Sequence, residues 1–255
     1  MSSRALLSVA AFATLVLLAA CASAPTPTKT AKLYFQDGET AYAAGRYDEA
    51  IAEWKKVRET YSSPELTTQA ELKIADAQFN NKAYIEAAAA YEDFRKLHPT
   101  HPKNDYALYR LALSNYNQIT GIDTDQTPVK NAVLHLENFL SRYPDSEYAP
   151  EARQKLADCR IKQLEYENYV GSFYVRTGKY AAAIKRLNEA LVKFPNSPKL
   201  DETLFNLGKA YLKSGNLAQG NLVLQRLAKE FPASKLNQEA AKLQGGFTGY
   251  STSRS

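Results

Sequence analysis

Residues 171–195 read GSFYVRTGKYAAAIKRLNEALVKFP, and this stretch decides the fold. From Tyr180, small or apolar residues return at +3, +4, +7 and +10 as Ala183, Ile184, Leu187 and Ala190. Those offsets lie on one face of an α-helix. Gly178 suits the tight turn that precedes this helix, and Gly171 is a small residue that lets an earlier helix approach closely. Pro195 removes a backbone donor and ends the helix. The stretch therefore predicts a helix–turn–helix unit.

The pattern recurs outward in both directions. Upstream it is carried by Gly38, Gly45, Tyr47, Ala50, Ile51, Trp54 and Val57, then by Ala75, Tyr84, Ala87, Tyr91, Phe94 and Pro99. A third unit has Leu108, Leu111 and Ala112, an insertion, then Ala132, Leu136, Phe139 and Pro144. Downstream, Leu204, Leu207, Gly208, Tyr211, Gly215, Gly220, Leu224, Leu227 and Pro232 make a fifth. The pattern resembles the tetratricopeptide repeat, a helix–turn–helix unit of about 34 residues. The prolines at 99, 144, 195 and 232 are more widely spaced than that period in the third and fourth units. The first excess reads as a loop over residues 121–128. The second reads as one long helix over about 146–177, with Pro150 in its first turn. No stretch alternates with the period of two that a sheet requires. The expected architecture is an all-α right-handed solenoid of about five units, in which each buries its apolar face on its neighbours. A capping helix is expected over about 234–243 and a mobile tail over 244–255.

Composition narrows the function classes. The chain has 255 residues, 45% of them hydrophobic and 23% charged, as folded soluble chains do. A net charge of +5 is that of an ordinary solvated surface, and no nucleic-acid partner is expected. Two cysteines exclude a disulfide scaffold and a cysteine zinc cluster. Residues 1–20 combine a charged start, an apolar run and a small-residue end, the pattern of a secretory signal. Leu18-Ala19-Ala20-Cys21 resembles the bacterial lipobox, which makes Cys21 the expected lipidation site. Ala22 and Ser23 follow instead of the Asp that holds such proteins at the inner membrane, so the anchor is expected in the outer membrane, facing the periplasm. Residues 21–30 read as a flexible tether, 31–145 as the N-terminal repeats and 146–243 as the C-terminal repeats. Cys159 sits in a helical apolar pattern and is expected to be a buried small hydrophobe.

No constellation for chemistry emerges. His98 and His101 each precede proline, and a zinc site needs three or four convergent ligands. Gly178-Lys179-Tyr180 lacks the spacing and the preceding strand of a phosphate loop. Neither a metal nor a cofactor is expected, and the chain does not read as an enzyme.

Two longer stretches carry a family resemblance. Residues 97–109, LHPTHPKNDYALY, and residues 166–180, YENYVGSFYVRTGKY, resemble the BamD family of outer-membrane lipoproteins, components of the β-barrel assembly machinery. The chain departs from that family in the loop Gly121-Ile122-Asp123-Thr124-Asp125-Gln126. The resemblance implies a scaffold that docks through its C-terminal half on the POTRA domains of BamA, beside other assembly lipoproteins. It also implies an N-terminal half that receives the aromatic C-terminal segment of unfolded outer-membrane proteins. Tyr42, Tyr47, Trp54, Tyr84 and Tyr91 are the candidates for such a groove. On the fourth unit the core stripe leaves Lys185, Arg186 and Glu189 outward as candidate partner contacts. Arg186 falls where the family carries an Arg that meets a partner carboxylate. The alternative from the fold alone is a repeat scaffold of the Tol or cell-wall synthesis machinery.

Overall fold

The computed structural model describes residues 29–60 and 63–252, with side chains to residue 246. The signal segment 1–20, Cys21 and most of the tether lie outside the described residues. Eleven helices and no strand are present among the described residues. They are α1 (Ala31–Ala43), α2 (Tyr47–Glu59), α3 (Pro64–Asn80), α4 (Tyr84–Leu97), α5 (Asn104–Asn117), α6 (Thr127–Arg142), α7 (Ala149–Arg176), α8 (Tyr180–Lys193), α9 (Leu200–Lys213), α10 (Leu217–Glu230) and α11 (Leu236–Thr252). The chain divides into two compact units between Lys73 and Ile74, inside α3. The sequence grouping of repeats into 31–145 and 146–243 is a separate partition, and contacts cross it. Tyr109 stacks on Tyr148 with ring centroids 4.9 Å apart, and Ser146 Oγ donates to Asp105 Oδ2 at 2.9 Å. These contacts tie α5 to the start of α7 across the expected boundary.

In the first unit, α1 and α2 form a hairpin closed by Gly45 at φ 73°. Trp54 is fully buried there, and its ring covers Gly38 so closely that an added Cβ would lie 2.6 Å from Trp54 Cδ1. The indole Nε1–H donates to Phe35 O at 3.3 Å, so the large side chain is buried without a stranded donor.

In the second unit, Leu187 and Leu224 stand at the position of Trp54, seven residues into the second helix of their hairpins. A Cβ on Gly171 would lie 2.6 Å from Leu187 Cδ2, and one on Gly208 would lie 2.5 Å from Leu224 Cδ2. Gly178 and Gly215 close these hairpins at φ 75° and 89°. In the α3–α4 turn, Lys82 takes the same left-handed conformation at φ 62° without being glycine.

The prolines end the second helices in one repeated geometry. His98, Tyr143, Phe194 and Phe231, each just before a proline, have φ from −126° to −134° and ψ from 54° to 62°. Proline's ring excludes the helical region for the residue before it. Asn104 Nδ2 donates to His98 O and Pro99 O at 3.0 and 3.1 Å, and Asn237 Nδ2 makes the matching bonds to Phe231 O and Pro232 O at 2.9 and 3.3 Å. Ser234 Oγ donates to Asp201 Oδ2 at 2.7 Å, as Ser146 does to Asp105. Each such bond joins the first helix of a hairpin to the turn that ends the same hairpin, and a hydrogen bond to a charged group contributes about 1.5–3 kcal/mol.

The long helix is present as α7, 28 residues with proline in its first turn. Cys159 on it is fully buried, and burial, followed by the neighbouring Asp158, pushes its thiol up to about 12, which suits packing and not reactivity. The last helix corrects the sequence expectation. It begins at Leu236 and continues past Leu243, through Gly245 and Gly246, to Thr252. Two consecutive glycines disfavour a helix by about 1 kcal/mol each, which is why the sequence reads as a tail. Packing of Ala240, Leu236 and Leu243 on the core of α9 and α10 outweighs them, and Gln244 Nε2 donates to Asn221 Oδ1 at 3.0 Å.

The close approaches make a quantitative prediction. Leu187 and Leu224 are themselves enclosed, so they cannot swing aside cheaply. Gly171→Ala and Gly208→Ala should each cost about 1–3 kcal/mol and lower the melting temperature by roughly 2–12 °C. Thermal unfolding followed by circular dichroism measures this, and unchanged midpoints for both variants would contradict the helix register.

Candidate functional site

The aromatic candidates separate by depth. Trp54 and Tyr91 have 0% exposure and lie in the interior of their hairpins, so they do not line an accessible groove. Both stand at the inward-facing +7 position. The rim position of the same pattern gives Tyr47 and Tyr84, both half-buried, with Tyr42 half-buried beside the first. Tyr42 and Tyr47 belong to the first unit and meet edge to face at 5.5 Å. Tyr84 belongs to the second and meets Phe79 edge to face at 5.3 Å.

Around Tyr91 the second unit builds a polar cluster that the sequence reading missed. Asp76 on α3 accepts from Tyr91 Oη at 2.5 Å and from Tyr106 Oη at 2.7 Å. Burial, reinforced by the Asp76 charge, raises both phenols above their ordinary range, so they remain donors. Arg110 on α5 donates from Nε to Tyr91 Oη at 3.1 Å and lies over the Phe79 ring, with Cζ 3.7 Å from the centroid. The residues come from three helices, α3, α4 and α5, spread between positions 76 and 110, and no local motif links them.

The fourth hairpin carries a second arginine held in a related way. Arg186 on α8 is half-buried and reaches back to α7, where its Nε lies 2.6 Å from Glu167 Oε2. This is an ionic contact without an aligned N–H bond, since the Nε–H has no hydrogen-bond acceptor. Its Cζ stands 5.5 Å from the Tyr166 ring. Lys185 and Glu189, the other outward candidates, are both exposed. Sequence reasoning named Arg186 as a candidate but did not name Glu167, whose helix and hairpin partner are set by the turn at Gly178.

A groove of about 660 Å³ opens in the same unit between α6, α7 and the turn after α8. Val133, Ile161, Phe194 and Pro195 give it an apolar lining, and the Glu137–Arg160 pair, 2.9 Å apart, stands at its edge. Among the described residues no group of three or more His, Cys, Asp or Glu is placed to hold a metal, and no helix is long and apolar enough to cross a membrane. The arrangement offers surfaces for binding: aromatic rims, two anchored guanidinium groups and an apolar groove.

Comparison with known proteins identifies a family. The chain is 26% identical over 246 residues to the outer membrane protein assembly factor BamD of Caulobacter vibrioides, covering 94% of this chain and 81% of that one. It is 28% identical over 213 residues to the protein of the same name from Vibrio cholerae, covering 79% and 88%. Among solved structures, YrrB, a tetratricopeptide-repeat protein, aligns at 17% identity and a TM-score of 0.37, over 83% of this chain and 92% of that one. The profile of the YfiO family, described as outer membrane lipoprotein, matches residues 27–222. With that match spanning most of its length, the chain belongs to the YfiO family of outer membrane lipoproteins.

Proposed function

We propose that this protein is a non-enzymatic, periplasm-facing scaffold of the machinery that assembles β-barrels into the outer membrane. The observation that carries this reading is the family match over residues 27–222, together with relatives named as outer membrane protein assembly factors. The fold suits the role, because stacked hairpins present extended surfaces on which other chains dock.

In this reading Cys21 carries the lipid anchor and the C-terminal hairpins dock on the POTRA domains of BamA. Arg186 is the central contact, with Lys185 and Glu189 beside it. The support is geometric. Arg186 makes no other hydrogen bond or ion pair among the described residues, so its terminal nitrogens are left for an incoming carboxylate. A guanidinium fork grips a carboxylate through two parallel bonds that lysine cannot reproduce. The aromatic rims at Tyr42 and Tyr47, and at Tyr84, receive segments of unfolded outer-membrane proteins.

The anchor is tested by replacing residues 1–20 with a soluble-secretion signal and Cys21 with Ser. Without its partners, this form should stay in the soluble fraction on membrane flotation, because several acyl chains, and not the repeats, supply stable attachment. Flotation with outer membranes would refute the assignment of Cys21. For Arg186, breaking an interfacial charge pair costs about 2–5 kcal/mol. Arg186→Glu should therefore weaken association with the BamA POTRA domains by at least about 30-fold at physiological salt. Circular dichroism should show the helices intact, and a reversed charge on the partner should recover part of the binding. Equal affinity of the variant and the parent would remove Arg186 from the interface.

A further inference from the structure

Arg110 presents a second carboxylate-receiving geometry, in a part of the second unit that the docking reading leaves unused. Three observations set it apart from a cation that merely neutralises a buried acid. First, the nearby acid does not need it. Asp76 accepts two phenolic hydrogen bonds, at 2.5 and 2.7 Å, and forms no ion pair with Arg110 among the described residues. Second, the guanidinium is fixed at one edge and one face. Its Nε donates to Tyr91 Oη at 3.1 Å, and its Cζ lies over the Phe79 ring, 3.7 Å from the centroid. Third, it makes no other hydrogen bond or ion pair among the described residues, so the end-on edge formed by Nη1 and Nη2 is left without an acceptor. The side chain is half-buried, which weakens its competition with water and strengthens any charge it meets.

A guanidinium held on one edge and one face has already lost much of its rotamer freedom, so little more is lost when an anion binds. The end-on edge matches the two oxygens of a carboxylate. The surroundings select what carries that carboxylate. Tyr106 lies within 5.7 Å of the guanidinium, and half-buried Tyr84 packs on the edge of Phe79, the ring beneath it. A ligand whose carboxylate sits beside an aromatic or aliphatic side chain satisfies both the fork and these rims. A small inorganic anion satisfies only the fork.

We infer that Arg110 is the anchor of a peptide-carboxylate site on the second unit, with Phe79 and Tyr91 as positioning residues that hold its guanidinium in place. The carboxylate is either the C-terminus of a bound segment or an acidic side chain next to an aromatic one. This inference rests on the proposal that the protein receives segments of other chains, and it adds the atoms that grip them.

The test uses the full chain in mild detergent and three fluorescent octapeptides rich in alternating aromatic residues, read by anisotropy. One ends in a free carboxylate, the second in an amide, and the third in an amide with Glu at the penultimate position. Wild type should bind the first or the third at least about tenfold more tightly than the second, and which of them gains identifies the source of the carboxylate. Arg110→Lys keeps the charge but loses the fork, and should reduce that advantage to less than about twofold. Tyr91→Phe, which frees the guanidinium edge while keeping the ring, should reduce it in part, with unchanged circular dichroism. The wild-type comparison among peptides does not depend on any variant folding. Equal binding of all three peptides by wild type, or an advantage that survives in Arg110→Lys, would overturn the site while leaving the reception of peptide segments standing. Binding of none of them would overturn both.

Discussion

The structure depends on how closely two helices can approach within a hairpin. A side chain seven residues into the second helix fills the space that a missing Cβ leaves on the first, as Trp54 does over Gly38, Leu187 over Gly171 and Leu224 over Gly208. Glycine permits the approach, and the large partner converts it into buried apolar area. At about 25 cal/mol per Å² of apolar surface removed from water, each of these buried side chains contributes on the order of 1.5–3 kcal/mol. Once that contact is fixed, the rotation of the second helix follows. What lies inward and what lies outward then follows from the rotation.

That rotation explains why chemically similar residues have different prospects. Trp54 and Tyr91 point at the partner helix and are interior, whereas Tyr47 and Tyr84, seven residues earlier, stay at the rim. It also leaves Arg186 free to reach back over α7 to Glu167 and Tyr166. Arg110, on a first helix, is held by the hydroxyl of Tyr91 and the face of Phe79. In both cases the packing of apolar side chains positions a cation whose terminal nitrogens are not consumed inside the protein. A scaffold that binds other chains needs such groups oriented before the partner arrives.

The fold was legible because its signals are local and repeated. The residues of the Tyr180 stripe, the turn glycines and the prolines each act within a few positions of themselves. Gly171, Ala183, Leu187 and Ala190 accordingly lie in the core, and α7 extends close to the length read for it. The misses have a common physical origin in contacts between distant residues. The Asp105–Ser146 and Asp201–Ser234 bonds join the first helix of a hairpin to the turn after its second, and Asp105 and Asp201 each stand six residues after an inter-unit proline, while Ser146 and Ser234 stand two after the following one. That register is present in the sequence but means nothing until the turns are superposed. The helical course of residues 244–252 was hidden because Gly245 and Gly246 argue locally for a tail, while the decisive packing of Ala240 and Leu243 is tertiary. The Asp76, Tyr91, Tyr106 and Arg110 cluster was missed for the same reason.

The central claim is that the outward face of α8 is the docking surface of an outer-membrane assembly scaffold. It is tested most directly in living cells, by placing a photo-cross-linking residue at Lys185 and at Glu189 in turn, both exposed on that helix, and at the exposed Lys55 in the first unit as a control. The account predicts covalent adducts between the two α8 positions and the BamA subunit, and none from Lys55. Adducts to other envelope proteins with no BamA at either α8 position would contradict it.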